Sequence, residues 1–298
     1  MQRLRRPSTL ALGGLLAGAV AVVVLAIAGL DFLGTLAGAA LAVTALAVVV
    51  VGGLRPIAAA QRAVLRGERQ RDARDRARHA RTRRGVDRAE RRLFAQLEAM
   101  GWLRELLALE HPLPATRHWA ASPDLLVELV RIIDRSRPLS VVELGSGVST
   151  IVMAARLKAM GQGRLVALEH EASYAEETRQ NLALQGLDDV ATVLDAPLAD
   201  VRVGEAEWRW YSLPEEGLPS SIELLLVDGP PGDTGPLARY PALPQLAPRL
   251  APGATIVMDD ADRPDEREAA RRWQAERPGL SLRHLPLESG AFVLRLPD

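Results

Sequence analysis

The chain has 298 residues, and its 37 basic and 37 acidic side chains give a formal net charge of zero. It contains no cysteine, which excludes a disulfide scaffold, a cysteine zinc site, an iron–sulfur centre and thiol catalysis. The charge is unevenly distributed: residues 55–92 hold 14 arginines and 5 acids, whereas residues 93–298 hold 20 basic and 31 acidic residues. This asymmetry excludes a uniformly basic nucleic-acid-binding protein.

Residues 7–54 carry a single charge, that of Asp31, which separates two apolar stretches. Residues 9–30 and residues 32–54 are each long enough to cross a bilayer as a helix, which takes roughly 20 residues. A charge is costly inside the bilayer but not at a turn outside it. We therefore predict a transmembrane helical hairpin over residues 1–54, with Asp31 at its tip.

Arginines flank this apolar region, at Arg3 and Arg6 before it and at Arg55 after it. The positive-inside rule places both flanks in the cytoplasm, so we predict a two-span protein of the cell membrane with a cytoplasmic C-terminal domain. The alternative is a signal peptide cleaved near Ala28, although its apolar region would be unusually long. Glycines in both stretches allow close helix packing, either within the hairpin or in a homodimer.

Residues 55–92 form an Arg-rich connector whose composition favours a helix but is too polar to build a core. Because it follows the apolar region, we predict that its arginines bind anionic membrane lipids. A charged spacer is the simpler alternative. No aromatic residue lies among the arginines before Phe94, which disfavours nucleic-acid binding.

The globular domain is predicted to span residues 93–298. Its first helix has apolar residues at helical spacing, which predict one buried face; they are Leu93, Leu97, Met100, Leu103 and Leu107. Predicted strands and helices then alternate, and the strands cover residues 139–144, 164–168, 190–194, 222–227, 255–258, 280–285 and 291–296. This alternation is typical of a doubly wound α/β fold with a mainly parallel, seven-stranded sheet, in which the final hairpin makes the last strand antiparallel.

A glycine turn follows the first of these strands, where Glu143 precedes Gly145 and Gly147. Glycine lets the backbone approach a ligand closely, and the N-terminus of the following helix presents free N–H groups. Glu169 ends the second strand, where an acid can accept hydrogen bonds from ribose hydroxyls. The pattern predicts a cofactor with a nucleoside portion.

Together with Asp195 and Ala196 after the third strand, and Asp228 after the fourth, these motifs resemble those of class I S-adenosylmethionine-dependent methyltransferases. The resemblance covers about residues 115–298. It implies that Asp195 and Ala196 border the adenine of S-adenosylmethionine. One position departs from the family pattern, because Ser149 stands where a third glycine is usual.

The resemblance also implies roles for the first two strand ends. Gly145 and Gly147 would pass under the methionine part of the cofactor, and Glu169 would bind the ribose. Glu143 would either lie near the amino group of the cofactor or organise the glycine turn.

Three acids follow the fourth and fifth strands: Asp228, Asp259 and Asp260. If these strands are neighbours, their carboxylates converge and form an oxygen site suited to Mg²⁺. The pattern is similar to that of metal-dependent O-methyltransferases, in which the metal binds two substrate hydroxyls. The alternative is that Asp259 and Asp260 cap a turn. In either case we predict Asp228 as the catalytic group that takes the proton of the methyl acceptor.

These features predict a membrane-anchored O-methyltransferase that acts on a small-molecule or lipid-linked acceptor. A nicotinamide-dependent dehydrogenase is one alternative, since it also has a glycine turn and a later acid, but it requires neither Glu143 nor the acids of the later strands. A non-catalytic, membrane-tethered scaffold that senses the cofactor is the other, and it has no need of Asp228.

Overall fold

The computed structural model describes residues 20, 23–24, 32–116 and 120–298. Most of the predicted first span, the turn at Asp31 and the arginines before them lie outside the described residues. The chain divides into two compact units, one ending at Val86 and the other beginning at Asp87.

A single helix of 75 residues, α1 (Phe32–Leu106), contains both the predicted second span and the Arg-rich connector. Within the described residues this segment is one helix rather than a hairpin, and it continues through Pro56, Gly67 and Gly85. Alanine, leucine and arginine dominate it, and their high helix propensity offsets the cost of Pro56 and of the glycines. Of the described helices, only this one is long and apolar enough to cross a membrane, a finding that rests on length and composition.

The last turns of α1 belong to the second unit and contribute to its core. Leu103 and Leu107 are buried in a cluster that includes α2 (Pro123–Ser136), as predicted. Leu93 and Leu97 were predicted to share this face but are 53% and 59% exposed. Nothing in the described part of the unit covers these two leucines, so the periodic pattern extends further than the core does.

The core of the second unit is a seven-stranded sheet with the strand order β3-β2-β1-β6-β7-β9-β8. The strands are β1 (Ser140–Leu144), β2 (Arg164–Glu169), β3 (Ala191–Asp195), β4 (Leu198–Val203), β5 (Ala206–Tyr211), β6 (Ile222–Val227), β7 (Leu250–Asp259), β8 (Ser281–Leu285) and β9 (Ala291–Arg295). The further helices are α3 (Val148–Met160), α4 (Ala172–Leu184), α5 (Ala242–Leu246) and α6 (Pro264–Glu276). In this order, each strand from β3 through β2, β1 and β6 to β7 is parallel to its neighbour, whereas β9 is antiparallel to both β7 and β8.

The two faces of the sheet pack against different layers. One face is covered by α2, α3 and α4 together with the end of α1, and the other by α5, α6 and the hairpin β4–β5. Because central strands are buried on both sides, β6 is apolar except for Glu223. The predicted seven-stranded, doubly wound fold is confirmed.

The strand order reverses between β1 and β6, and this reversal places the candidate site. Leu144 pairs with Val227, so the segments that follow the two strands leave the sheet side by side. In open α/β sheets, ligands bind at such a crevice beyond the carboxyl ends of the strands.

The sequence analysis did not predict the hairpin β4–β5, which forms a separate two-stranded sheet and lies between β3 and β6 in the chain. Its strands alternate only partly between apolar and polar residues, because much of the hairpin is exposed. Trp210 and Tyr211 at its end are buried against the main sheet.

Candidate active site

A cavity of about 450 Å³ opens at the carboxyl ends of the parallel strands. Six of the predicted site residues line it, and they are Gly145, Gly147, Glu169, Asp228, Asp259 and Asp260. Glu143, Asp195 and Ala196 are not among the lining residues. The structure thus brings together two predicted groups, the glycine turn with Glu169 and the three later acids.

The glycine turn passes close to the segment that follows β6. Gly145 has a φ of +102°, and a Cβ added to it would lie 3.6 Å from the carbonyl oxygen of Asp228. At Gly147 an added Cβ would meet no described atom within 4 Å. Because Gly147 lines the cavity, a ligand can approach its backbone directly.

Glu143 lies beneath this turn and is fully buried. Its carboxylate accepts hydrogen bonds from the hydroxyls of Ser149 and Thr150, and Thr150 in turn accepts one from the amide of Gly147 at 2.9 Å. Burial raises the pKa of Glu143 to about 7, although the two hydroxyls oppose the shift. Of the two placements that the resemblance implies, this geometry corresponds to the one in which Glu143 organises the turn.

Ser149 therefore does more than fill the place of a third glycine. Its hydroxyl is one of the two side-chain donors to the buried carboxylate of Glu143. The signal was present in the sequence as two adjacent hydroxyl residues in the first turn of α3.

Glu169 is held by donors from its own loop and from the glycine turn. Its Oε1 accepts hydrogen bonds from the amides of His170 and Glu171, at 2.8 and 3.0 Å, and its Oε2 accepts one from the Ser146 hydroxyl at 3.0 Å. Burial opposes ionisation, but His170, the Glu171 amide and Ser146 outweigh it and hold the pKa of Glu169 below its ordinary value. Glu169 is thus an ionised hydrogen-bond acceptor on the cavity wall.

Asp195 and Ala196 lie at the end of β3, away from the cavity lining. Asp195 is exposed and accepts a hydrogen bond from Arg179 Nη2 at 2.8 Å. Ala196 is buried, and its amide bonds to the carbonyl oxygen of Glu169 at 2.7 Å. Their contact with an adenine stays a prediction.

Asp228, Asp259 and Asp260 converge as the sequence predicted, because β6 and β7 are neighbours. One oxygen from each carboxylate lies within 4.8 Å of one from each of the others. Burial raises the pKa of Asp228 to about 7, and the neighbouring carboxylate of Asp260 adds to the shift. Burial also raises the pKa of Asp259 well above its ordinary value.

Arg239 lies among these acids and is only 5% exposed. Its Nη2 donates to Asp260 Oδ2 at 2.9 Å and to Asp228 Oδ1 at 3.3 Å. The same nitrogen donates to the carbonyl oxygen of Asp228 at 3.1 Å, and Nη1 donates to that of Asp259 at 3.0 Å. Burial opposes the charge, but the surrounding carboxylates raise the pKa of Arg239 above its ordinary value.

This arrangement does not support the predicted Mg²⁺ site. Mg²⁺ requires freely available oxygen ligands in near-octahedral geometry, whereas here a guanidinium already bonds to two of the three carboxylates. Arg263 adds a second positive charge, with its Nη1 2.9 Å from Asp260 Oδ2. The three acids with their arginines do not fit a divalent cation.

Residues 142–261 match a protein-family model described as a methyltransferase domain. They contain the glycine turn, Glu169 and the strand-end acids, and they supply strands of the predicted seven-stranded, mainly parallel sheet. This domain is a class I methyltransferase. The predicted assignment to the S-adenosylmethionine-dependent methyltransferases is confirmed for it.

Solved structures of methyltransferases are similar to this chain at low sequence identity. A methyltransferase from Geobacter sulfurreducens is 17% identical, with a TM-score of 0.42 over 58% of this chain and 79% of that one. An O-methyltransferase from Bacillus cereus in complex with SAH is 17% identical, with a TM-score of 0.45 over 67% and 90% of the two chains. The O-methyltransferase TomG from Streptomyces achromogenes, in complex with SAM, is 19% identical, with a TM-score of 0.43 over 60% and 82%.

No curated protein matches the chain. The assignment therefore rests on the family model and on the observed strand order.

Tyr211 also lines the methyltransferase cavity. It ends β5 and is 1% exposed, and its ring lies 6.1 Å from that of His170. Its hydroxyl abuts Gly229, where a Cβ would collide with it. No described residue makes a hydrogen bond to this hydroxyl.

Proposed function

We propose that this methyltransferase transfers a methyl group from S-adenosylmethionine to a hydroxyl oxygen while tethered to the cytoplasmic face of the cell membrane. The observation that carries the proposal is the set of residues that line one cavity. It holds the glycine turn and Glu169 on one side and Asp228 on the other. The amide of Asp228 bonds to the carbonyl oxygen of Leu144 at 3.0 Å, so the two sides are joined directly.

The cofactor fits the glycine-turn side of the cavity. Gly145 and Gly147 would contact its methionine part, and Glu169, an ionised acceptor, would bind the two ribose hydroxyls. Asp195 and Ala196 would border the adenine. Glu143 would act indirectly, because its bonds to Ser149 and Thr150 hold the turn in place.

Asp228 is the residue placed to handle the proton of the acceptor. When bound, S-adenosylmethionine supplies an electrophilic methyl group on a positively charged sulfur. Asp228 would take the hydroxyl proton as the oxygen attacks the methyl carbon, and the carbon–sulfur bond breaks to leave neutral S-adenosylhomocysteine. A base with a pKa near 7 is well matched to this task at neutral pH.

The membrane part of the proposal is supported by α1 and its charges. The apolar end of α1 is suited to one span, and the sequence predicts a second. The exposed arginines of residues 55–92 would bind anionic lipid head groups on the cytoplasmic side. An acceptor that is small or lipid-linked would then be methylated close to the bilayer.

Cofactor binding distinguishes this proposal from a nicotinamide-dependent dehydrogenase. Full-length protein in detergent should bind S-adenosylmethionine, and not NADH, in a calorimetric titration. Gly147→Ala should weaken that binding, because its side chain would enter the cavity rather than meet a described atom. The φ of +156° at Gly147 strains any side chain, so a thermal melt must show that the variant still folds. NADH binding would overturn the assignment. Binding without methyl transfer to any hydroxyl acceptor would favour the cofactor-sensing scaffold.

Fractionation tests the membrane part independently. The full-length protein should stay with membranes at high salt, whereas a chain that lacks residues 1–54 should be released, since salt screens the remaining arginines. Protease added outside intact cells should leave the methyltransferase domain uncut. Digestion from outside would contradict the predicted orientation.

A further inference from the structure

The strand-end acids and their arginines form an ionic cluster that the sequence analysis did not predict. Asp228, Asp259 and Asp260 supply three carboxylates, and Glu266 of α6 supplies a fourth, with its Oε1 3.8 Å from Arg239 Nε. Among the described residues, the cations within 4 Å of these carboxylates are Arg239 and Arg263. Only Arg239 is buried, since Arg263 is 49% exposed.

We propose that Arg239 takes the place that a divalent cation would have among Asp228, Asp259 and Asp260, so that methyl transfer by this chain needs no metal. Arg239 is then a positioning residue that holds Asp228 in line with the methyl acceptor. The inference rests on the proposed methyl transfer, but its central test does not depend on turnover.

The geometry supports a cation-like role for Arg239 in three ways. Its Nη2 bridges Asp228 and Asp260, which are two of the three carboxylates that an ion at this point would bind. Its two terminal nitrogens also bond to the backbone carbonyls of Asp228 and Asp259, so its position is fixed from both strands. Its charge is permanent, because a guanidinium does not lose its proton in proteins.

Local compensation explains why an arginine is needed at this point. Buried carboxylates that lie close together repel one another, and a buried cation with good hydrogen bonds offsets the repulsion. The side chain of Arg239 reaches both strand ends from the loop between β6 and α5, and its planar head presents several donors at once. A metal ion would have to displace this head before it could bind the three carboxylates.

The test is the response to Mn²⁺ of full-length protein and single variants in detergent, measured by calorimetry and by melting temperature. Wild-type protein should bind no Mn²⁺ and should melt at the same temperature in EDTA and in Mn²⁺. Arg239→Ala should lower the melting temperature in EDTA by roughly 10 °C, because it leaves buried carboxylates uncompensated. Added Mn²⁺ should restore part of that loss, since a ligand that binds only the folded state stabilises it.

Two variants control this result. Arg263→Ala removes the other arginine on Asp260 but leaves Arg239 in place, so it should show no response to Mn²⁺. Arg239→Lys keeps a cation and should also show none. In the same preparations, EDTA should leave wild-type turnover unchanged, and Mn²⁺ should restore part of the turnover that Arg239→Ala loses.

Several results would overturn the inference. They are Mn²⁺ binding by the wild type, a folded Arg239→Ala protein that ignores Mn²⁺, and an equal response from Arg263→Ala. If Arg239→Ala does not fold, the wild type and Arg239→Lys still test the proposal, because binding of Mn²⁺ by either protein contradicts it. Failure of the proposed function is a separate outcome. It would appear as a lack of S-adenosylmethionine binding, whatever the response to Mn²⁺.

Discussion

The two sides of the cavity stabilise buried carboxylates in different ways. On the glycine-turn side, Glu143 and Glu169 receive hydrogen bonds from hydroxyls and backbone amides. On the other side, Asp228 and Asp260 are compensated by the guanidinium of Arg239. The donors to Glu143 and Glu169 lie on the glycine turn, on α3 and on the loop after β2, whereas the compensating charge comes from Arg239, on the loop that Asp228 begins.

This difference affects what each side can do. The His170 side chain, the Glu171 amide and the Ser146 hydroxyl outweigh burial and hold the pKa of Glu169 below its ordinary value, so it stays an ionised, fixed acceptor of the kind that ribose binding requires. Asp228 has an arginine beside it and still has its pKa raised to about 7, because burial and the nearby carboxylates outweigh that arginine. The first side is suited to binding, and the second to accepting a proton.

The largest effect is expected from Asp228→Asn, which removes the proton acceptor. Turnover should fall about 100-fold or more, while the calorimetric affinity for S-adenosylmethionine stays unchanged. Asp262→Asn is the matched control, since Asp262 pairs with Arg267 and does not line the cavity. A fully active Asp228→Asn enzyme would show that this side of the cavity does not supply the base.

Glu143→Gln should change how stability depends on pH. Burial raises the pKa of Glu143 from 4.5 to about 7, so between these values the folded state keeps a proton that the unfolded chain has lost. The folded state therefore loses stability as pH rises through this window, by about 3 kcal/mol at most. The amide cannot ionise, so the fall in melting temperature between about pH 5 and about pH 8 should be smaller in the variant.

Glu176→Gln is the control for this experiment, because Glu176 is exposed on α4. It should leave the pH dependence of the wild type intact. If Glu143→Gln also follows the wild-type curve, then Glu143 is already ionised in the folded protein.

A smaller effect is expected from Glu169→Gln, which keeps the shape of the side chain but removes its charge. The affinity for S-adenosylmethionine should fall about tenfold, because hydrogen bonds to a charged group are stronger. Asp200→Asn is the control and should leave the affinity unchanged, since Asp200 is exposed, pairs with Arg209 and does not line the cavity. Equal losses in the two variants would show that the charge of Glu169 has no specific role in binding the cofactor.

Much of the fold could be predicted because its signals are local. Buried strands such as β6 are short apolar runs bounded by turn residues, and the sequence predicted their positions, although β7 begins at Leu250 rather than at residue 255. The hairpin β4–β5 was missed because its faces are only partly buried, so its alternation is weak. The exposed Leu93 and Leu97 show the converse, since a periodic pattern does not establish that anything packs against it.

The sequence by itself determined the glycine turn, the acid at the end of β2 and the acids at the ends of β6 and β7, because each is a short motif next to a strand. Only the tertiary structure decided that Arg239 lies among those acids, that Tyr211 lines the cavity, and that Asp195 bonds to Arg179. Arg239 lies 11 residues from Asp228 and 21 from Asp260, and Arg179 lies 16 from Asp195, so these contacts depend on how strands pair and loops close. No local pattern encodes such placement. The structure has an arginine among the acids for which the sequence predicted a metal ion.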